Sequence, residues 1–255
     1  ELANDHLRIG IDRVRGAFTE FTIRGGSGNS AIATFGRRMG SHPSNYIYDS
    51  GETAPESVQV VEQGPSRVGV EFRYPGSRRI VYRLAAGSHH VTEEIDWNGG
   101  ALRKRMHWAP YGDTQQDRFF YRAASGIKTF RCASGPLASP AKAMAEGWYA
   151  IGDERGESVG EFFDPGRLHG LGLYGHMYGL YVHAYNRALR GGVCRKAFTA
   201  VRGSWEDVRQ GYVGWRNPPA FALGGTQERT LARPAVPRHG KDSLRMYYLN
   251  PSRCA

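Results

Sequence analysis

The sequence predicts an all-β protein, a large antiparallel β-sandwich, and three observations carry that reading. Short segments rich in β-branched and aromatic residues recur along the chain, many alternating apolar with polar. Glycine and proline, 34 and 13 of them, are scattered between those segments instead of clustered, and scattered Gly and Pro punctuate turns. A length of 255 residues suits one large sandwich with a core that needs neither disulfide nor metal.

Taken in order, HLRIGID and AFTEFTIRG form an opening hairpin around Arg15-Gly16. Residues 24–57 are Gly-, Ser- and Asn-rich, and read as one long loop of the kind that carries function. SVQVVEQG, SRVGVEFRYPG, RRIVYRLAAG and HHVTEEIDWNG are four strands at regular spacing, the mark of a sandwich or barrel. ALRKRMHWAP, RFFYRAASG, IKTFRC, GWYAIGD and ESVGEFFD continue the series, interrupted by a helical reading over 137–147. GLGLYGHMYGLYVHAYNR has aromatic strand character. SWEDVRQGY reads as an amphipathic helical turn with Ser204 as N-cap. Residues 226–255 read as an extended tail with one strand, and the whole of 1–255 as a single domain.

Composition limits function. Thirty-four Lys and Arg against 24 Asp and Glu give a net charge of +10, which attracts acidic polysaccharides as well as other anionic partners. No basic block, recognition helix or RNA-binding signature accompanies it, so nucleic acid is not an expected partner. No apolar run approaches the roughly 18 residues of a membrane span, so no membrane partner is expected. The chain begins at Glu1 inside a strand-like pattern, which reads as trimming or as a piece of something longer. A secreted or periplasmic location is slightly favoured. Cys132, Cys194 and Cys254 are too few and too dispersed for a zinc cluster. A Cys132–Cys194 bridge and free thiols both stay open.

The order of several stretches resembles the C-terminal β-sandwich region of the α-mannosidase family of glycoside hydrolases. They are LANDHLRIGIDRVRGAFTEF with its Asn-containing strand, EQGPSRVGVEFRY, YRLAAGSHHVTEEIDWNG with Asp96-Trp97, EGWYAIGDERGESVGEFFD and WRNPPA. The resemblance, from residue 1 to about residue 220, implies a galactose-mutarotase-like super-β-sandwich. It further implies a poly- or oligosaccharide partner and a role in framing substrate. Family members hydrolyse mannosides with a zinc-bearing α/β domain N-terminal to this region. Nothing in this sequence matches that domain's ligands, so a catalytic domain or chain outside it is the implied partner. No cofactor and no metal are expected of the chain itself.

Two further readings come from the residues. His176, Tyr178, Tyr181, His183 and Arg187 are the types that β-elimination of a uronate-containing glycan requires. Arg would hold the carboxylate while His and Tyr move protons, making the chain a polysaccharide lyase. The bland alternative is Tyr and His lining a half-buried sheet. A non-catalytic carbohydrate-binding module needs only exposed rings. Trp108 and Tyr111, beside the strand breakers Pro110 and Gly112, are the rings expected at the surface. With Arg118 and Tyr174 they make up the expected substrate-binding set.

Among acidic residues, Glu93, Glu94 and Asp96 with Glu154, Glu157 and Glu161 could supply a glycosidase's paired carboxylates, although acids in turns are usually solvated. His90, Thr92, Glu94 and Asp96 share a strand face, one histidine and two carboxylates, which is short of a metal site. Trp97 is assigned to the core, with Asp96 capping the NGG turn.

Overall fold

The structure is a computed structural model. It describes residues 1–26, 44–47, 54–97, 102–108, 118–131, 135–137, 144–152, 156–164, 170–176, 179–186, 193–218, 220–224, 229–231 and 245–249. In chain order the strands are β1 (Leu2–Ala3), β2 (Leu7–Asp12), β3 (Ala17–Ile23), β4 (Tyr46–Ile47), β5 (Ser57–Gln63), β6 (Arg67–Tyr74), β7 (Arg78–Ala85), β8 (His90–Asp96) and β9 (Leu102–Trp108). They continue with β10 (Arg118–Ala123), β11 (Gly126–Arg131), β12 (Gly135–Leu137), β13 (Met144–Gly152), β14 (Glu157–Phe163), β15 (Gly170–His176), β16 (Gly179–Asn186) and β17 (Val193–Arg202). Helix α1 (Trp205–Arg216) follows, then β18 (Ala220–Gly224), β19 (Arg229–Leu231) and β20 (Arg245–Leu249). No helix among the described residues is long and apolar enough to cross a membrane.

The chain divides into two compact units, Glu1–Gly211 and Tyr212–Ala255. The first is the expected antiparallel sandwich. A nine-stranded sheet runs β11-β10-β13-β14-β17-β8-β7-β6-β5. It is faced by a three-stranded sheet, β1-β2-β3, and a five-stranded one, β12-β15-β16-β9-β4. An isolated antiparallel bridge between Phe18 and Ser44 joins these two smaller sheets. Rings interlock between the layers. Phe18 lies 5.0 Å from Tyr82 and 5.4 Å from Phe198 across the layers, while Phe21, edge-on at 5.5 Å from Trp108, links the two smaller sheets. The second unit carries an antiparallel sheet ordered β19-β18-β20, so the described residues of 226–255 include two strands where the sequence suggests one.

Several local expectations hold. The hairpin turns at Gly16, in the left-handed region at φ 63°, while Asp12 Oδ1 accepts the Val14 and Arg15 amides. Ser204 Oγ caps α1 by accepting the Glu206 amide, and Asp207 Oδ2 answers by accepting the Ser204 amide at 2.9 Å, a reciprocal N-terminal cap. The helical reading of 137–147 is corrected at both ends, since Leu137 closes β12 and the last four residues are strand as well. Residues 144–147 begin β13, because Trp148, Tyr149 and Ile151 beyond them are core residues and tertiary burial overrides the local helix propensity of AKAMAE. The 24–57 loop contributes Ser44 and β4 to the sandwich. Cys194 is buried in β17, and Cys132 and Cys254 lie outside the described residues.

The first turns of α1 cover the outer face of the nine-stranded sheet. Trp205 stacks on Trp148 at 6.1 Å and on Phe120 at 6.0 Å, and Arg209 pairs bidentately with Glu146 at 2.7 and 2.8 Å. A Cβ at Gly160 would stand 2.1 Å from the Tyr149 carbonyl and 3.0 Å from Val208, so glycine lets the helix seat there. Trp97 is 4% exposed, packed on Tyr74 at 5.4 Å under the Arg78 guanidinium at 4.9 Å. Asp96 engages Arg79 at 3.4 Å, and the NGG turn it was expected to cap is outside the described residues. Trp97→Ala is expected to cost about 3–5 kcal/mol, and Gly160→Ala about 1–3 kcal/mol by overpacking. Urea unfolding checks both; an unchanged midpoint for Trp97→Ala would mean that the ring is not part of the core.

Candidate functional site

Strand β9, LRKRMHW, alternates in an unusual way. Leu102, Lys104, Met106 and Trp108 all point into the sandwich, so a lysine sits where a hydrophobe belongs. A buried ammonium survives only with partners, and Lys104 has them. Its Nζ contacts Glu93 Oε1 and donates to the Tyr82 hydroxyl at 2.9 Å. Tyr82 donates to Glu93 Oε1 at 2.9 Å, and Asn45 Nδ2 reaches both the Tyr82 hydroxyl and Glu93 at 3.0 and 3.2 Å.

The belt continues across the nine-stranded sheet. Lys196 stands opposite Glu93 in the ladder, and its Nζ lies 3.6 Å from Glu161 Oε2. Glu161 stands opposite Tyr149, whose hydroxyl accepts the Trp108 indole N–H at 2.9 Å. Burial pushes Glu93 upward, but Lys104, Lys196 and the Tyr82 hydroxyl outweigh it and hold the carboxyl below the ordinary range. Burial wins at Glu161, which is raised despite Lys196 and the Tyr149 hydroxyl beside it. Glu93 and Glu161 thus belong to one network, as a glycosidase pair would. Both are 0% exposed between the sheets, where no sugar reaches them, so these two fail on access as a glycosidase pair.

Anchoring Lys104 inward fixes what β9 places outward. Tyr174 pairs with Tyr181, and Tyr181 with His107, forming one row of the five-stranded sheet. In the next row His183 pairs with Arg105, and Arg105 with Tyr46. Tyr185 pairs with Arg103 in a third row, and His176 closes β15 opposite Gly179. Residues directly opposite in an antiparallel pair share a face. Register therefore sets Tyr174, His176, Tyr181 and His183 in phase with one another and with His107, which is itself buried at 2% exposure. Tyr178, Arg187 and Tyr111 lie outside the described residues.

The surface role expected for Trp108 is corrected. It is 0% exposed, because strand alternation turns it inward and Tyr149 satisfies its indole N–H; the breakers after it do not lift it out. Arg118 is exposed on β10 in the nine-stranded sheet, apart from the Tyr/His rows. Among the described residues no cluster of His, Cys, Asp or Glu is arranged for a metal. Glu94 and Asp96 instead meet Arg79, and Glu94 also meets Arg83 and Arg195. Sequence reasoning missed Lys104, Lys196, Tyr82 and Asn45. The one legible signal was a lysine in phase with Leu102, Met106 and Trp108.

No protein family and no curated protein matches the chain in sequence. Among solved structures it is similar to the α-N-acetylgalactosaminidase NagBb from Bifidobacterium bifidum. The ligand-free form matches at a TM-score of 0.63 and 11% identity, over 85% of this chain and 38% of that one. The Gal-NHAc-DNJ complex matches at 0.63 and 10% identity over the same shares. A looser likeness, TM-score 0.44 at 11% identity over 91% of this chain and 28% of that one, is to a glycoside hydrolase family 81 protein from Clostridium thermocellum. The chain thus shares its fold with part of NagBb and spans 38% of the length of that protein.

Removing one member of the belt strands a buried charge. Lys104→Met and Glu93→Gln are each expected to cost about 3–5 kcal/mol, and the double variant markedly less than their sum. Urea unfolding of the four proteins checks this; strict additivity would dissolve the pair as an energetic unit.

Proposed function

We propose that the chain is the substrate-framing β-sandwich of a carbohydrate-active enzyme of the α-mannosidase-like kind, with catalysis supplied by another domain or chain. The observation that carries this reading is the register of the five-stranded sheet, which aligns Tyr174 with Tyr181 and sets His183 opposite Arg105. Aromatic rings offer flat apolar surface to a sugar and a polar edge to its hydroxyls, and guanidinium groups add paired donors. The sandwich fold, matched over 85% of the chain to part of an α-N-acetylgalactosaminidase, supports a module within a larger enzyme, and the partner is then a poly- or oligosaccharide. The chain's charge of +10 favours an acidic one. Fold alone does not confer the activity, so the working face is what must be tested.

Calorimetric titration of the chain with N-acetylgalactosamine- and mannose-containing oligosaccharides, neutral and acidic, is the test. Binding is expected, weakened about 2- to 10-fold in each of Tyr174→Ala and Tyr181→Ala, the scale of a ring contact, with no glycoside hydrolysis by the chain alone. Unchanged binding in both variants would remove this face from the proposal. The lyase reading has its own signature. If the chain by itself generates the ultraviolet absorbance of an unsaturated uronate, and His176→Ala and Tyr178→Phe each slow it about 100-fold, catalysis resides in this chain and the framing role is overturned.

A further inference from the structure

On a different part of the sandwich, histidines and arginines from four segments converge on a cavity of about 410 Å3. His6 comes from the β1–β2 turn, Arg24 from just after β3, His89 and His90 from the start of β8, and Arg202 from the end of β17; Gln210 of α1 completes the lining. The site is built, and its builder is Asn4. Asn4 Nδ2 donates to the carbonyls of Ala85 and Ser88 at 2.7 and 2.8 Å, tying the β1–β2 turn to the β7–β8 turn. Its Oδ1 accepts the amides of His6 and Leu7 at 2.8 and 2.7 Å, and its carbonyl accepts Arg24 Nη1 at 2.7 Å. His6 is thereby stacked on His89 at 3.9 Å with 27° between the rings. Thr199 Oγ1 holds the His89 carbonyl at 2.6 Å. Gly25, at φ 69°, lets the backbone pass Arg202, since a Cβ there would lie 3.0 Å from Arg202 Nη2.

We infer that this cavity is an oxyanion site, taking a carboxylate or sulfate group between the Arg24 and Arg202 guanidinium groups with the His6–His89 stack as its wall. Neither arginine has an acidic partner among the described residues, although eight other arginines do. The one carboxylate lining the cavity, Asp207, already receives the Ser204 amide through Oδ2. A planar fork of donors matches two oxygens of an anion better than any neutral group. A cation is excluded by geometry, because near-parallel stacked imidazoles present faces to each other and do not aim two nitrogens at one ion.

The charged and titratable groups facing the stack are His90 from β8, Arg24, Arg202 and Asp207, with Glu157 opposite Arg202 in the ladder. Burial and the His6 ring hold His89 below its ordinary value, and burial with His89 brings His90 down to about 4. An anion reverses the first effect by favouring imidazolium, so proton uptake accompanies binding and affinity rises as pH falls. This site does not depend on the sugar-binding face: either can fail alone.

The test titrates the chain with glucuronate, inorganic sulfate and glucose, following the imidazole resonances of His6 and His89 by NMR. Expected are shifts of both residues with glucuronate and sulfate and none with glucose. Binding should tighten by about tenfold between roughly pH 7.5 and pH 5.5, as one coupled imidazole proton allows. Both affinities should fall about tenfold or more in Arg202→Gln and in Arg24→Gln, exposed positions whose replacement leaves the core intact. A response to sulfate without glucuronate keeps the oxyanion site and rejects a sugar acid as its source. Equal response to glucose, silent imidazoles, or arginine variants that bind like the native chain would overturn it.

Discussion

The contact on which the sandwich depends is the Lys104–Glu93 ion pair buried between its two layers. Side chains on a strand alternate with period two, so a slip of one residue in β9 would carry Lys104 to the outside and Arg103 and Arg105 into the core. Apolar packing alone penalises such a slip only through lost area. The ion pair penalises it by stranding Glu93 among Tyr82, Asn45 and Lys196, an uncompensated charge in a dry interior. The belt need not add net stability relative to hydrophobes of the same shape. What it does is select one register, and that register aligns Tyr181 with His107 and His183 with Arg105.

The same logic of partnered charge explains where the basic excess resides. On the outer face of the nine-stranded sheet Arg67, Arg73, Arg79, Arg83 and Arg195 interleave with Glu62, Glu71, Glu94 and Asp96 across four neighbouring strands and β17. Each exposed pair contributes little, but shared partners make a network with better-held geometry. Burial pushes the Glu62 and Glu71 carboxyls up, and the surrounding arginines more than reverse it, leaving both below their ordinary range. Those arginines are occupied. The gross count of arginines therefore overstates the basic surface on offer, and recognition of anions falls to arginines that lack such partners.

The fold was legible because most strands are short, alternating and bounded by Gly or Pro, a pattern set by neighbours in sequence. The failures have a common cause in long-range context. AKAMAE carries helix propensity, yet its end joins β13 because the Trp148–Ile151 run behind it is core. Trp108 precedes two strand breakers, yet it obeys the parity of β9 and bonds Tyr149, 41 residues away in sequence. Glu93 and Glu161 were both named as acids, but that they meet through two lysines is a matter of strand order, β14-β17-β8, which no local pattern reveals. Asn4 belonged to a motif in the opening strand and still gave no hint of its partners at Ala85 and Ser88.

Strand β8 shows how one alternation serves both surfaces. Val91, Glu93 and Ile95 face the core, while His90, Thr92, Glu94 and Asp96 face outward, as their burial alternates. Glu93 anchors β9 and hence the rows of the five-stranded sheet; His90, three positions earlier and on the other face, lines the oxyanion cavity. β17 repeats the arrangement, with Lys196 in the belt and Thr199 bonded to the His89 carbonyl. Because β8 and β17 pair residue for residue from Val193 against Asp96 to Thr199 against His90, neither surface can shift register without the other. The buried charges that hold the layers together therefore also hold the cavity's histidines in place, although no charge of the belt touches them.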